Sequence, residues 1–365
     1  MIKFNEDSRV KIPAILHLTR LGFNYISRKD LENSNLSLDK NTNIFENIFI
    51  ESIIKINNEI SENQAQNILS DIKLSLDNED LGKEFYLKLI KNENYKIIDF
   101  DNFSNNRFDV ITELTYKNGD DEFRPDITLL INGMPLIFLE VKIPSNKDGI
   151  LSEKNRINNR FKNHKFKKFF NITQIMIFSN NMKYDDNDIE PLQGAFYATP
   201  SYHEPILNYF REEENFDLTK LLKPENDEIE NFVLKDNNLT TIKSTNEFIT
   251  NKQPESPTNK ICTSLFSKDR LAFILKYGIV YVNGDNGIEK HIMRYPQIFA
   301  TKAIENKLNQ GEKSGIIWHT QGSGKTALAY YNVSFLTDYF NKKSIIPKFY
   351  FIVDRLDLLT QASRE

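Results

Sequence analysis

Hydrophobic and polar residues alternate with two different periods along the chain. Over residues 1–100 the apolar positions recur at the spacing of amphipathic helices. One short helix is predicted after Pro13, and three more are predicted over Thr42–Asn57, Gln64–Leu76 and Leu81–Ile90. From Phe108 to Tyr116, and again over Ile172–Ser179, short β-branched runs are typical of strands. The pattern predicts an α/β fold with a helical N-terminal part and a mixed sheet flanked by helices.

A hairpin is predicted at the centre of this sheet, over residues 124–142. Two apolar runs there flank Asn132-Gly133, and an Asn-Gly pair favours a two-residue turn because both turn positions need a positive φ. Side chains alternate along a strand, so Glu140 and Lys142 share one face. The turn brings Asp126 back beside them. Two carboxylates and a lysine are therefore expected to converge at one end of the hairpin.

These three residues have the chemistry of a magnesium site. Mg²⁺ binds to one or two carboxylates together with waters and phosphate oxygens, and it can activate a bound water for attack on a phosphodiester. Pro125-Asp126 and Glu140-Val141-Lys142 resemble the signature of the PD-(D/E)xK nucleases. The resemblance implies that Asp126, Glu140 and the Val141 carbonyl bind Mg²⁺ and that Lys142 assists the attacking water. A surface hairpin with a Glu–Lys ion pair is the alternative.

Two further features near the hairpin suggest an additional metal ligand and a DNA-binding surface. Glu84, in the last N-terminal helix, is a candidate for an additional acid near the metal, and a solvated helix carboxylate is the alternative. A basic stretch after the hairpin suits contacts with the DNA backbone, although such a run is also typical of a solvated surface. Its candidate DNA-binding residues are Arg156, Arg160, Lys162, Lys165, Lys167 and Lys168.

A second motif lies near the C-terminus. Ser314–Trp318 is predicted to form a strand, residues 319–326 a glycine-rich loop, and Ala327–Leu336 an apolar helix, which is the context of a P-loop. Lys325 is expected to reach the β- and γ-phosphates of ATP, and the Thr326 hydroxyl to bind Mg²⁺. The predicted nucleotide-binding residues are Gln297, Thr320, Gln321, Gly322, Ser323, Gly324, Lys325 and Thr326.

The P-loop departs from the general pattern because His319 replaces its first glycine. In this form, Thr320-Gln-Gly-Ser-Gly-Lys-Thr326 resembles the motif of superfamily 2 helicases and translocases. That resemblance implies that Gln297 recognises adenine, as in a Q motif. It also implies that Phe349–Gln361, which is predicted to be a buried strand running into a loop and helix, corresponds to the DNA-contacting motif Ia. The expected domain is RecA-like.

The composition limits the classes of protein to which the chain can belong. Its 365 residues carry a net charge of −4, so a nucleic-acid partner must be held by local basic patches. A single cysteine excludes an intramolecular disulfide, and the five histidines show no zinc spacing. Neither an apolar run of the ~18 residues needed to cross a membrane nor a signal-peptide pattern is found. A cytoplasmic location is expected.

The two motifs together resemble the R subunit of type I restriction-modification enzymes. The resemblance rests on Arg-Pro-Asp126-Ile, Leu-Glu140-Val-Lys142, the P-loop wording and Val353-Asp-Arg-Leu-Asp-Leu. It implies Mg²⁺-dependent cleavage of double-stranded DNA coupled to ATP-driven translocation, together with methyltransferase and specificity subunits. In some members a Q-x-x-x-Y motif follows the catalytic lysine, and the nearest candidate here is Gln174 with Phe178.

The expected organisation is an endonuclease domain over residues 1–260 and the beginning of a first RecA-like motor lobe over residues 261–365. Neither a Walker B box nor a second lobe follows the P-loop in this sequence, so inefficient ATP hydrolysis is expected. Two alternatives remain open. The chain could belong to a stand-alone nuclease-helicase fusion of DNA repair or phage defence, or it could be a non-catalytic DNA-binding fragment in which Asp126, Glu140 and Lys142 are structural.

Overall fold

The structure is a computed structural model that describes residues 5–32, 36–91, 94–185, 192–201, 205–284, 287–320 and 322–352. The chain divides into two compact units, of which the first comprises residues 1–210 and 215–272 and the second residues 211–214 and 273–365. The expected boundary at residue 260 falls inside a helix, Pro257–Phe266, whose side chains are buried in the first unit.

A seven-stranded mixed sheet forms the centre of the first unit. The strands of this unit are β1 (Asn24–Ile26), β2 (Phe108–Thr112), β3 (Tyr116–Asn118), β4 (Asp121–Phe123), β5 (Ile127–Ile131), β6 (Met134–Val141), β7 (Ile175–Ser179), β8 (Ala195–Ala198) and β9 (Asn208–Tyr209). The seven-stranded sheet contains all of them except β3 and β4, in the order β1-β2-β5-β6-β7-β8-β9. The prediction of one strand from Phe108 to Tyr116 is wrong, because Glu113 has a φ of 52° and ends β2. Tyr116 begins a separate two-stranded sheet, β3-β4.

The predicted hairpin is confirmed as β5 and β6, which pair in antiparallel orientation. Asn132 and Gly133 have φ values of 50° and 78°, as a two-residue turn of this type requires. All eight residues of β6 are buried between β5 and the parallel neighbour β7. β7 confirms only the later part of the strand predicted over Ile172–Ser179, because Ile172 is the last residue of a helix. The catalytic candidates therefore lie on a central strand of the sheet.

The helices of the first unit are α1 (Ile12–Arg20), α2 (Arg28–Glu32), α3 (Glu46–Ile56), α4 (Glu62–Ser75), α5 (Lys83–Ile90), α6 (Gly149–Phe161), α7 (Lys167–Ile172), α8 (Leu218–Leu221), α9 (Asp227–Asp236), α10 (Asn246–Asn251) and α11 (Pro257–Phe266). Helix α12 (Lys268–Tyr277) begins in this unit and continues into the second. A π-helical turn, Asp7–Lys11, leads into α1. An aromatic cluster that includes Phe138, Phe169 and Phe178 packs α6 and α7 against β6 and β7.

The observed helix ends differ from the predicted ones for local reasons. The helix predicted from Thr42 begins only at Glu46, because the Phe45 backbone is extended and its N–H donates to the Gly133 carbonyl. Ser61 and Gln64 form a capping box, which fixes the start of α4. Residues 257–260, which lead up to the expected domain boundary, are helical, since Ser256 is the N-cap of α11.

The second unit contains an antiparallel pair, β10 (Ile279–Gly284) and β11 (Gly287–Ile292), and the helices α13 (Tyr295–Asn309) and α14 (Lys325–Asn341). Helix α14 includes the helix predicted over Ala327–Leu336. The strand predicted over Ser314–Trp318 is not formed, and Ile316 and Trp318 are 89% and 91% exposed. A strand needs a hydrogen-bonded neighbour, and none of the described residues provides one here. No described helix combines the length and apolar character needed to span a membrane.

Candidate active site

The residues predicted to cut DNA meet at the end of the central hairpin opposite its turn. Ile127 of β5 pairs with Leu139 of β6, so the preceding residue, Asp126, lies opposite Glu140. The Asp126 Oδ2 atom accepts a hydrogen bond of 2.8 Å from the Val141 N–H. This bond fixes the first carboxylate against the strand that carries the second. The alternation of side chains places Glu140 on the face of β6 that also carries Phe138.

Lys142 joins the carboxylates of this cluster. Its Nζ atom lies 3.8 Å from Asp126 Oδ2, 3.5 Å from Glu153 Oε1 and 3.3 Å from Glu6 Oε2. It also donates a hydrogen bond of 2.8 Å to the Val141 carbonyl, the atom that the family resemblance assigned to the metal. Burial lowers the pKa of Lys142, but the surrounding carboxylates outweigh burial and raise it above its usual value. Lys142 is therefore a cation held among acids.

Two acids of the cluster, Glu6 and Glu153, were missed in the sequence. Glu153 lies on α6, is almost completely buried and forms an ion pair with Arg156. One signal could have identified it, because Glu153 is the only acid in the otherwise basic helix α6. Glu6 immediately precedes the π-helical turn, and nothing in its sequence context relates it to Lys142. The Glu6 contact joins segments that are distant in the sequence, whereas Glu153 lies on the helix that follows β6.

The cluster contains more negative than positive charge. Burial raises the pKa of Glu140 well above its usual value, and the neighbouring Asp126 and Glu153 raise it further. Burial likewise raises the pKa values of Asp126 and Glu6, although Lys142 opposes the shift in both. These carboxyl groups thus bind protons more tightly than exposed acids do, or they need an additional cation.

The carboxylate oxygens of the cluster suit a small hard cation that keeps several water ligands, rather than a metal ion surrounded only by protein ligands. The buried atoms Glu140 Oε1 and Glu153 Oε2 have no hydrogen-bond partner among the described residues. An unpaired buried carboxylate oxygen is costly unless a cation binds to it. Within the described ranges, no three His, Cys, Asp or Glu side chains are grouped closely enough to hold a metal ion. Mg²⁺ needs only one or two carboxylates, so the residues fit this ion.

The structure does not bring Glu84 or Gln174 to the cluster. Glu84 is half exposed and interacts with Asn78 and, at 3.3 Å, with Lys88 of its own helix. Gln174 is completely buried just before β7, where its Nε2 atom donates to the Ile172 carbonyl, and Phe178 belongs to the aromatic core. Among the described acids, Glu6 and Glu153 lie next to the catalytic candidates, whereas Glu84 had been considered for such a position.

The predicted DNA-binding stretch separates into two parts. On α6, Arg156 pairs with Glu153, and the Arg160 guanidinium lies 4.1 Å from the centre of the Phe123 ring. The lysines mostly pair with surface acids instead, with distances of 2.7 Å for Lys165–Asp121, 2.8 Å for Lys167–Glu79 and 3.0 Å for Lys168–Asp77. Lys162 is partly exposed. The two arginines therefore lie next to the acidic cluster, and these three lysines stabilise local structure.

In the second unit, the predicted nucleotide-binding residues surround the start of α14. Gly322 and Gly324 have φ values of 76° and 79°, which glycine adopts without strain, and Lys325 begins the helix. The Lys325 Nζ atom donates to the carbonyls of His319 and Thr320 at 3.2 and 2.9 Å. Ser323 is partly buried, and Thr326 lies in the first turn of the helix. Gln321 and residues 353–361 lie outside the described residues. The buried strand predicted to begin at Phe349 is wrong over residues 349–352, where no strand forms and Tyr350 and Ile352 are 82% and 93% exposed.

Gln297 contacts the glycine-rich loop directly. Its Nε2 atom donates to the Gly324 carbonyl at 3.0 Å, and its Oε1 atom accepts from the Arg294 N–H at 2.8 Å. Arg294 in turn donates to the Gly322 carbonyl at 2.8 Å. The expected Q motif and the P-loop are thus adjacent, and Gln297 supports the loop backbone.

Comparisons with known proteins match both the N-terminal and the C-terminal part of the chain. Residues 3–185 match the family model described as type I restriction enzyme R protein N terminus, and residues 290–365 match that described as type III restriction enzyme, res subunit. The MjaVIIP endonuclease subunit of Methanocaldococcus jannaschii is 28% identical over 296 residues, which cover 77% of this chain and 23% of that protein.

Two other relatives are also described as endonuclease subunits of type I restriction enzymes. The MjaVIIIP endonuclease subunit of the same organism is 28% identical over 351 residues, covering 93% of this chain and 28% of its own length. The type I restriction enzyme SsaAORF53P endonuclease subunit of Staphylococcus saprophyticus is 25% identical over 272 residues, covering 73% and 23%. The chain thus spans less than a third of the length of these relatives. It belongs to the family of type I restriction enzyme R proteins.

Proposed function

We propose that the chain is the nuclease-bearing part of a type I restriction subunit that cleaves double-stranded DNA in the presence of Mg²⁺. The observation that carries this proposal is the convergence of Asp126, Glu140 and Lys142 at one end of the hairpin, with a buried Glu140 oxygen that has no partner among the described residues. The PD-(D/E)xK nucleases are the class of enzyme with which this arrangement agrees.

In this proposal, Asp126 and Glu140 hold Mg²⁺ from opposite strands of the hairpin, and the Val141 carbonyl completes the protein ligands. When bound, the metal activates a water and stabilises the charge that develops on the phosphodiester. Lys142 then turns from the Val141 carbonyl towards this water and orients it. Glu153 and Glu6 keep the ammonium group charged and in place, because both lie within 3.5 Å of it.

The remaining part of the proposed activity depends on the second unit. Lys325 would hold the phosphates of ATP at the glycine-rich loop and Thr326 would hold a second Mg²⁺, and ATP hydrolysis would supply the energy for DNA translocation in the assembled enzyme. Methyltransferase and specificity subunits are the proposed partners, and they provide sequence recognition. Arg156 and Arg160 are proposed to contact the DNA backbone beside the site, whereas Lys162, Lys165, Lys167 and Lys168 contribute general positive charge.

The proposal is tested with the R chain reconstituted with its methyltransferase and specificity subunits. Asp126→Asn, Glu140→Gln and Lys142→Met are compared with Glu84→Gln, a matched control for an acid away from the cluster. We expect Mg²⁺-dependent cleavage of unmethylated DNA to fall more than about 100-fold in the first three variants and to persist in the control. ATP hydrolysis by the complex should continue in all of them. Cleavage by all three variants at the wild-type rate would show that the hairpin is only structural.

Metal binding provides a readout that does not depend on cleavage. We expect millimolar Mg²⁺ or Mn²⁺ to raise the thermal unfolding temperature of the full chain, since a ligand that binds only the native state stabilises it. Glu140→Gln should abolish this increase, and Glu84→Gln should retain it. An equal increase in both variants would place the metal elsewhere and would favour a non-catalytic DNA-binding fragment.

A further inference from the structure

A second charged centre lies directly beside the proposed catalytic site, around Glu113. The Glu113 N–H donates to the Asp126 carbonyl at 3.1 Å, so this residue is attached to the start of β5. The Glu113 carboxylate contacts three cations. Lys11 Nζ lies 2.8 Å from Oε1, Arg124 lies 3.6 Å from Oε2, and Arg28 donates to the same Oε2 atom.

The backbone of Glu113 adopts a strained conformation, which the contacts of this arrangement must stabilise. Its φ of 52° lies in the left-handed region, which a side chain such as glutamate rarely adopts. Conformations of this kind persist where the surrounding contacts fix them, and they cluster at functional sites. Burial raises the pKa of Glu113, but the hydrogen bond from Lys11 and the charges of Arg124 and Arg28 outweigh it, so that the pKa lies below its usual value. Glu113 therefore stays ionised as the anchor of the three cations.

The positive charge around Glu113 exceeds what this carboxylate neutralises. Lys11 is buried, with 4% of its side chain exposed, and it also pairs with Asp7. Arg28 and Arg124 are 40% and 59% exposed, and each contacts Glu113 through one terminal nitrogen. An arginine has five N–H donors, so most donors of both guanidinium groups remain available for another anion. Two arginines are thus presented to solvent in fixed positions.

DNA needs such a contact at this place. The cluster of Glu6, Asp126, Glu140 and Glu153 repels the phosphate backbone, and Lys142 and Arg156 neutralise only part of its charge. Arg156 pairs with Glu153 on α6, while Arg124 precedes Asp126 by only two residues in the sequence. Arg124 and the arginines of α6 therefore lie on separate segments, each of which also carries an acid of the cluster, Asp126 and Glu153 respectively.

We propose that Arg28 and Arg124 bind phosphates of the double-stranded DNA substrate next to the phosphodiester that is cut, and that Glu113 and Lys11 are positioning residues for this pair. The inference rests on the proposed nuclease function and names a surface through which that site holds its substrate. Guanidinium groups suit this role because their planar donors match phosphate oxygens. The contacts recognise the backbone and not the base sequence.

The first test measures binding of a fluorescent DNA duplex to the full chain by anisotropy, in EDTA, so that no cleavage occurs. The double variant Arg28→Ala/Arg124→Ala is compared with Lys220→Ala/Lys260→Ala, which removes the same charge from two exposed lysines that pair with Asp217 and Glu255. We expect the arginine variant to lose affinity on the order of ten-fold, with the salt dependence of log K reduced by about two. The control variant should keep the wild-type slope.

An unchanged affinity and slope in the arginine variant, or an equal loss in the lysine control, would overturn the inference. Failure of the nuclease assignment has a different signature, because then the wild-type complex itself shows no Mg²⁺-dependent cleavage. Both pairs are exposed and are not expected to affect folding, which thermal unfolding verifies.

The second test separates positioning from charge. Glu113→Gln keeps both arginines and makes the chain more positive, so DNA binding in EDTA should be at least as tight as in the wild type. Cleavage by the complex should nevertheless fall about ten-fold, because the arginines are no longer held. Restoration of cleavage by Glu113→Asp would support the positioning role. Wild-type cleavage by Glu113→Gln would show that Glu113 does not position the pair.

Discussion

Two apolar runs of this protein stand beside functional motifs, and only one of them forms a strand. Met134–Val141, which ends in the catalytic candidates, is completely buried between an antiparallel and a parallel neighbour. Ser314–Trp318, which precedes the P-loop, has no regular secondary structure, and its large apolar side chains Ile316 and Trp318 are exposed. Both runs contain β-branched residues, and by composition both favour a strand.

The difference shows that a strand depends on its neighbours more than on its own residues. β6 receives hydrogen bonds on both edges, and its apolar side chains pack against α7 and the aromatic cluster. Among the described residues, Ser314–Trp318 has neither. In the glycine-rich loop after it, Gly322 and Gly324 nevertheless adopt positive φ values, and the Gln297 side chain donates to the Gly324 carbonyl. Local signals thus predict turns and caps better than they predict strands.

The largest effect is expected where tertiary contacts surround a turn of the first unit. A Cβ atom on Gly133 would lie 2.7 Å from the Phe45 carbonyl oxygen and 2.9 Å from the Phe49 nitrogen, in addition to the positive φ. Gly133→Ala should lower the free energy of unfolding by about 3 kcal/mol. Gly287, in the second unit, has a φ of 116° and no described atom within 4 Å of such a Cβ, so Gly287→Ala should cost only about 1 kcal/mol. Urea unfolding followed by circular dichroism measures both, and equal losses would contradict the comparison.

The second-largest effect is expected in the pH dependence of stability, which should arise from the acidic cluster of the first unit. Burial raises the pKa of Glu140 in the folded state, so the folded state binds this proton more tightly than the unfolded chain does. Stability must therefore decrease as the pH rises from the ordinary glutamate range through the raised pKa. The decrease is about 1.4 kcal/mol for each pH unit that separates the folded-state pKa from the unfolded-state pKa. Glu140→Gln should flatten this part of the profile, and parallel profiles for variant and wild type in urea unfolding would refute it.

A smaller loss is expected at the support of the P-loop. Gln297→Ala removes the bonds to the Gly324 carbonyl and from the Arg294 N–H, and Gln297 itself is buried. We expect a loss of about 1–2 kcal/mol in the free energy of unfolding and weaker nucleotide binding. Gln310→Ala, at an exposed helix end, serves as the control and should change stability by less than about 0.5 kcal/mol. Thermal unfolding and ATP titration distinguish the two.

The smallest effect on stability is expected at Lys325, although its effect on ligand binding should be large. Lys325 is exposed, and its contacts are two backbone carbonyls of the loop. Lys325→Met should change the free energy of unfolding by less than about 0.5 kcal/mol and should lower ATP affinity at least about ten-fold. Lys313→Met, also exposed, is the control. A loss of stability without a loss of ATP affinity would show that Lys325 only holds the loop together.

The sequence by itself determined the features that depend on near neighbours in the chain. Asn132-Gly133 fixed the hairpin, and the alternation of side chains then placed Asp126, Glu140 and Lys142 together, because these residues lie within one supersecondary unit. The helices α3, α4 and α5 followed from their spacing, and the family followed from the two motifs.

Only the tertiary structure decided which other groups join the site. Glu6 and Glu153 approach Lys142 from a turn before α1 and from α6, and Lys11 and Arg28 approach Glu113 across the fold. No periodicity encodes these contacts, because they depend on how helices pack on the sheet. The same reason explains the missing strand over Ser314–Trp318, whose formation depends on a partner and not on its own composition.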